Sequence, residues 1–127
     1  FQWITNSRGE RRLFQRPGPK NALGRVVLRF TNPNRIYLHG SPDQEQFEKA
    51  QRAWSHGCVR VQGIEELAQD LLDLTDQSMA RSFEAEIESG RTKRHRLTEP
   101  VAIHFEYVLT TVDDQDIVRF LPNIYRL

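Results

Sequence analysis

The apolar residues of this chain change period twice, and that change restricts the fold more than any other feature. Ile64, Leu67, Ala68, Leu71 and Leu72 fall at i, i+3, i+4, i+7 and i+8, one face of an α-helix. Met79, Phe83 and Ile87 follow at fourfold spacing, with Thr75 or Asp76 as cap and Gly90 as stop, and predict another helix whose stripe is core. Outside this block the pattern is that of strands. Trp3, Ile4, Leu13 and Phe14 flank Asn6-Ser7-Arg8-Gly9-Glu10, as in two short strands joined by a turn. Val26-Val27-Leu28-Arg29-Phe30 reads as a buried strand and Asn32-Pro33-Asn34 as a turn. Arg35-Ile36-Tyr37-Leu38-His39 reads as a strand that delivers His39 to the sheet edge, just before Gly40. Ser41 as N-cap, Pro42 at the first helical position and Gln44 in a capping box predict a short helix running towards Trp54. Residues 101–107 alternate, and Asp113-Asp114-Gln115 turns the chain into 117–120, the form of a β-hairpin. Strands at both ends with two or three helices between them imply an α+β domain rather than a doubly wound parallel sheet.

With 127 residues the chain fits a single compact domain that needs no disulfide to bury a core. Lys and Arg number 18 against 17 Asp and Glu, so a general electrostatic grip on nucleic acid or on an anionic membrane is excluded. The dense basic run Arg91-Thr92-Lys93-Arg94-His95-Arg96 reads as a solvated loop. No stretch approaches the roughly 18 apolar residues of a membrane span, and no signal-peptide pattern is present. The chain starts at Phe1 rather than Met, and is expected to be a fragment of a longer protein.

Chemistry concentrates in His39-Gly40 and Trp54-Ser55-His56-Gly57-Cys58-Val59-Arg60, where two histidines and a glycine surround the one cysteine. A lone cysteine is by default a small buried hydrophobe, and these neighbours argue instead for a nucleophile. A cysteine nucleophile needs an imidazole within hydrogen-bonding reach to take its proton and pair with the thiolate. His56, two residues away, and His39, nineteen residues away, both qualify by spacing. Gly57 gives the backbone freedom to aim the amides of Gly57 and Cys58 at a developing oxyanion. Arg60 shares a face with Cys58 in an extended segment, where it either grips a substrate carboxylate or is a plain surface arginine. His39, His56 and Cys58 could alternatively supply three ligands of a catalytic zinc site. His95 and His104 read as exposed and as ordinarily packed, and no cofactor motif appears.

These residues resemble the L,D-transpeptidase catalytic (YkuD) family, whose mark is an upstream histidine followed after a spacer by Ser/Thr-His-Gly-Cys. The likeness extends to Gly18-Pro19-Lys20-Asn21-Ala22-Leu23-Gly24-Arg25-Val26, to Tyr37-Leu38-His39-Gly40 and to Phe120-Leu121-Pro122-Asn123-Ile124-Tyr125, within residues 15–125. It is closest in pattern to the larger, multi-domain bacterial branch. The resemblance implies a mainly β-sheet core, a YkuD-like β-sandwich, shortened at its N-terminus, with strands and part of a lid outside this chain or supplied by another. It implies Cys58 as nucleophile and His39 as base, with the His39 ring held by a backbone carbonyl near Gly40. His56, Gly57 and Gly40 would shape the oxyanion site, and Ser55, Arg60, Tyr37 and Trp54 would contact substrate. Many relatives carry Asn where this chain has Arg60, which bears on acceptor choice.

The implied reaction is acyl transfer on peptidoglycan stem peptides, donor and acceptor, through a Cys58 thioester, with no cofactor and no metal. The implied compartment is the periplasm or cell envelope, and carbapenems would acylate the cysteine. Two readings compete with it: a carboxypeptidase or hydrolase using the same thioester, and a non-catalytic peptidoglycan-binding module.

Overall fold

The computed structural model describes residues 1–126. An antiparallel hairpin opens the chain, β1 (Gln2–Thr5) pairing with β2 (Arg11–Phe14). Its turn is organised by Asn6, whose Oδ1 accepts from the amides of Arg8 and Glu10 at 3.0 and 2.9 Å. A three-stranded sheet follows, in the order β3 (Val27–Arg29), β4 (Tyr37–His39), β5 (Val59–Arg60). The helices α1 (Ile64–Thr75) and α2 (Gln77–Glu88) come next and pack on each other. β6 (Thr110–Val112) and β7 (Val118–Phe120) close the chain as a second hairpin. The architecture is α+β, with the strands grouped among the described residues into three separate sheets.

Each helix follows its sequence signals. Asp76 caps α2 through Oδ1, which accepts from the amides of Ser78 and Met79 at 3.2 Å each. Gly90 takes φ +64° just past the helix end, where a side chain would be strained. Glu65 and Glu66 sit in the first turn of α1, where carboxylates favour the helix dipole.

Several expectations are corrected. Among the described residues the buried apolar ones are Ile64, Ala68, Leu72 and Ala80, a core confined to the two helices. The chain exposes 10983 Å², against about 7000 Å² for a compact domain of its mass, so it does not bury the sizeable core its length allows. β3 is half-buried rather than buried, and the Met79, Phe83 and Ile87 stripe is likewise half-buried. β4 is the central strand, so His39 lies at its C-terminal end and not at a sheet edge. The segment after Ser41 forms only a 3-10 turn (Gln44–Glu48), with Asp43 at the N-cap position, and the chain from 49 to 57 is irregular. Ser41 Oγ accepts from the Asp43 amide at 3.1 Å, so its capping oxygen closes a local turn instead of starting a helix. At the C-terminal end the hairpin is formed by Thr110–Val112, and residues 101–107 form no strand despite their alternation. Their apolar side chains, Phe105 among them, stay exposed, so no second layer rewards pairing.

Candidate active site

β4 and β5 run parallel, with Leu38 opposite Val59 and His39 opposite Arg60. Parallel neighbours cannot be joined by a tight turn, so the chain leaves the sheet after His39 and returns at Cys58, directly before β5. The Val61 amide donates to the His39 carbonyl at 2.9 Å and closes this pairing.

His39 is 5% exposed, and its Nδ1 lies 2.6 Å from the Gly40 carbonyl oxygen. A carbonyl only accepts, so Nδ1 carries the proton and, in the neutral ring, Nε2 keeps the lone pair. The carbonyl that orients the ring belongs to a crowded stretch. An added Cβ on Gly24 would meet Gly40 C and Cα at 2.7 Å, and one on Gly40 would meet Ile64 Cγ2 at 3.1 Å. Gly24 also holds φ +67°, and next to it Arg25 pairs with Glu65 of α1 at 3.3 Å. The turn at 21–25, the end of β4 and the start of α1 thus meet at Gly40.

Cys58 is a free, half-buried thiol whose Sγ lies 4.0 Å from the Arg35 carbonyl oxygen, a weak contact. Among the described residues it makes no hydrogen bond to His39 or His56, so the imidazole contact expected from the sequence is absent from this conformation. Arg35 takes φ 54°, unusual for a residue with a side chain. Asn32 holds that bend: Nδ2 donates to the carbonyls of Phe30 and Ile36 at 3.1 and 2.8 Å, and Oδ1 accepts from the Ile36 amide at 2.9 Å.

The other residues singled out by sequence divide into two groups. Tyr37 and Arg60 belong to the sheet with His39. The Tyr37 ring lies under the Arg29 guanidinium, 4.8 Å from its centroid, and its hydroxyl accepts from Arg29 Nη2 at 3.0 Å. Arg60 Nη1 donates to Gln46 Oε1, and Arg60 Nε is buried without a partner among the described residues. Trp54, Ser55 and His56 lie on the exposed irregular loop. Trp54 donates from Nε1 to the Gln51 carbonyl at 2.8 Å and carries Lys49 over its ring. The Gly57 amide donates to Ser55 Oγ at 3.2 Å, so in this state it is committed locally rather than free for an oxyanion. Gly57 itself holds φ +131°, where a Cβ would be strained by the backbone although it would make only ordinary contact with Ile36 at 3.6 Å. No group of three His, Cys, Asp or Glu side chains among the described residues is placed to hold a metal ion, so His39, His56 and Cys58 do not assemble the alternative zinc set.

Sequence reasoning missed Gly24, Arg35, Asn32 and Gln46. Asn32 was visible as a turn residue, and Gly24 stood inside a quoted motif without a role. The contacts of Arg35 and Gln46 leave no sequence signal. The carboxyls held below their ordinary range lie away from this site. Asp76 is lowered first by the Ser78 hydroxyl, Glu86 first by Lys93 and then by His95, and Asp113 first by Arg119. Lys93 and His95 thereby tie part of the exposed basic loop to α2.

The sequence model of the YkuD family, described as the L,D-transpeptidase catalytic domain, matches residues 2–103. The chain belongs to that family. A Haemophilus influenzae protein named "Putative L,D-transpeptidase" is 30% identical over 105 residues, which are 83% of this chain and 21% of that protein. The chain therefore spans about a fifth of that relative's length. In this L,D-transpeptidase family domain, no helix among the described residues is long and apolar enough to cross a membrane.

Proposed function

We propose that this domain is the catalytic core of a cysteine-dependent L,D-transpeptidase acting on peptidoglycan stem tetrapeptides. The observation that carries the reading is the buried His39 ring, fixed by the Gly40 carbonyl so that Nε2 is its basic nitrogen, on the strand beside the one that Cys58 directly precedes. In the reaction, His39 Nε2 takes the Cys58 proton as Sγ attacks the carbonyl between the L-centre of a diamino acid and terminal D-Ala. The C–N bond breaks, D-Ala leaves as the amine with the proton from His39, and a Cys58 thioester remains. An acceptor amine then attacks the thioester, its proton passing to His39, and the thiol is restored as the new amide forms. To enter this cycle Cys58 exchanges its contact with Arg35 for His39, in line with catalytic hydrogen bonds that tighten only once substrate is bound. Gly57, Gly40 and His56 border the oxyanion position, and Arg60, Tyr37, Ser55 and Trp54 contact substrate. The domain is a single unit and works in the periplasm or cell envelope, where peptidoglycan is reached. The test is intact-protein mass spectrometry after incubation with a carbapenem. One adduct on the wild type and none on Cys58→Ala is expected; an adduct on both, or on neither, refutes the reading. Product analysis with and without an amine acceptor separates transfer from hydrolysis.

A further inference from the structure

A groove of about 360 Å³ lies at the β3–β4 connection, lined by Arg29, Phe30, Thr31, Asn32, Arg35 and Tyr37. It adjoins the nucleophile through Arg35, which lines the groove and whose carbonyl oxygen lies 4.0 Å from Cys58 Sγ. The lining holds two guanidinium groups and no carboxylate. Like most arginines of the chain, Arg29 and Arg35 have no ion-pair partner among the described residues, so both are available to an anion. Arg29 is held by stacking on Tyr37 and by the hydrogen bond to its hydroxyl, which lowers the entropy lost when it grips a ligand. Arg35 sits in a backbone bend that three Asn32 hydrogen bonds maintain, and strained backbone beside a reactive group is a recurrent mark of a functional position.

The geometry points to a carboxylate-binding subsite in this groove, in which Arg35 and Arg29 grip a carboxylate of the acyl-donor peptide while the reacting carbonyl lies at Cys58. The inference rests on the acyl-transfer reading above. An unpaired guanidinium offers two parallel donors to a carboxylate, and the half-buried Phe30 and Tyr37 line the open groove beside the pair. The stem peptide carries carboxylates at its terminal D-residue and at internal positions, and both present the same chemistry to the groove.

The experiment titrates the Cys58→Ala protein with the stem tetrapeptide and with versions carboxamidated singly at the terminal or at an internal carboxylate. One amidation is expected to weaken binding about tenfold, the scale of a charge-assisted hydrogen bond, and its position names the carboxylate bound. Arg35→Asn, which suits the φ of 54°, is expected to erase that discrimination. Arg35→Lys is expected to retain part of it, because the cation remains. Equal affinity for all peptides, or discrimination surviving in Arg35→Asn combined with Arg29→Gln, overturns the subsite. The carbapenem adduct on wild-type Cys58 is measured alongside. An adduct without carboxylate discrimination overturns the subsite alone, and discrimination without an adduct overturns the transpeptidase reading alone.

Discussion

Gly24→Ala will lower stability and acylation of Cys58 together, although residue 24 is remote from the thiol in sequence. Two effects add. Alanine at φ +67° is strained by about 1–2 kcal/mol. The new Cβ would also stand 2.7 Å from Gly40 C and Cα, where ordinary contact begins at 3.4 Å, so one backbone segment must shift by several tenths of an ångström. Overpacking of this kind adds about 1–3 kcal/mol. Gly90→Ala supplies the control, because Gly90 has nearly the same φ, +64°, with nothing within 4 Å of the added carbon. Thermal unfolding is the assay: at about 4 °C per kcal/mol for a chain of this size, Gly90→Ala should fall by about 4–8 °C and Gly24→Ala by about 8–20 °C. Because the Gly40 carbonyl orients His39, the rate of carbapenem acylation at a temperature where Gly24→Ala remains folded should fall about tenfold or more. Equal thermal shifts in the two variants would refute the close approach. A large thermal shift with an unchanged acylation rate would refute the link from Gly24 to His39.

Other outcomes follow from the same contacts. His39→Gln should slow acylation about 10²–10⁴-fold with little change in unfolding temperature, measured by time-resolved mass spectrometry. Asn32→Ala removes three hydrogen bonds from the β3–β4 bend and should destabilise by about 1–3 kcal/mol in urea unfolding; no change would mean the bend is held elsewhere. Asp76 has its carboxyl held low by the Ser78 hydroxyl and the Met79 amide, so its cap is present above the unfolded-state value and is lost as pH falls through the folded one. Circular dichroism should therefore show helix loss below about pH 4, and less of it in Asp76→Asn, which keeps an uncharged acceptor. Gln46→Ala frees Arg60 Nη1 beside an Nε that has no partner among the described residues, and should change KM for the donor peptide more than kcat, with Gln46→Glu restoring it.

The helices were legible because their signals are local: the stripe from Ile64 to Leu72, the Asp76 cap and the Gly90 stop depend only on near neighbours. The Trp3–Phe14 hairpin was legible for the same reason, since Asn6 to Glu10 form the turn themselves. The helix expected after Ser41 failed because Ser41 and Gln44 spend their polar groups on a turn around Asp43, an alternative that the same residue types favour. Residues 101–107 alternate without pairing, since alternation marks a face and does not supply a partner strand. In the site, Cys58 and His39 stood out by chemistry. What sequence could not provide was the parallel register of β4 and β5, the Gly24–Gly40 contact and the Arg35 bend, all of which join residues far apart in the chain.

The parallel pairing of β4 with β5 separates two tasks that an antiparallel arrangement would merge. The offset between Cys58 and His39 is set by the register of adjacent strands, which places Cys58 two residues before the Arg60 that faces His39, and not by the path the chain takes between them. Residues 41–57 are free of that duty, and the slow growth of closure entropy with length makes additions there inexpensive. The stretch carrying Trp54 and His56 is thus a place where lengthening or grafting would retune what is recognised while the reacting pair keeps its setting.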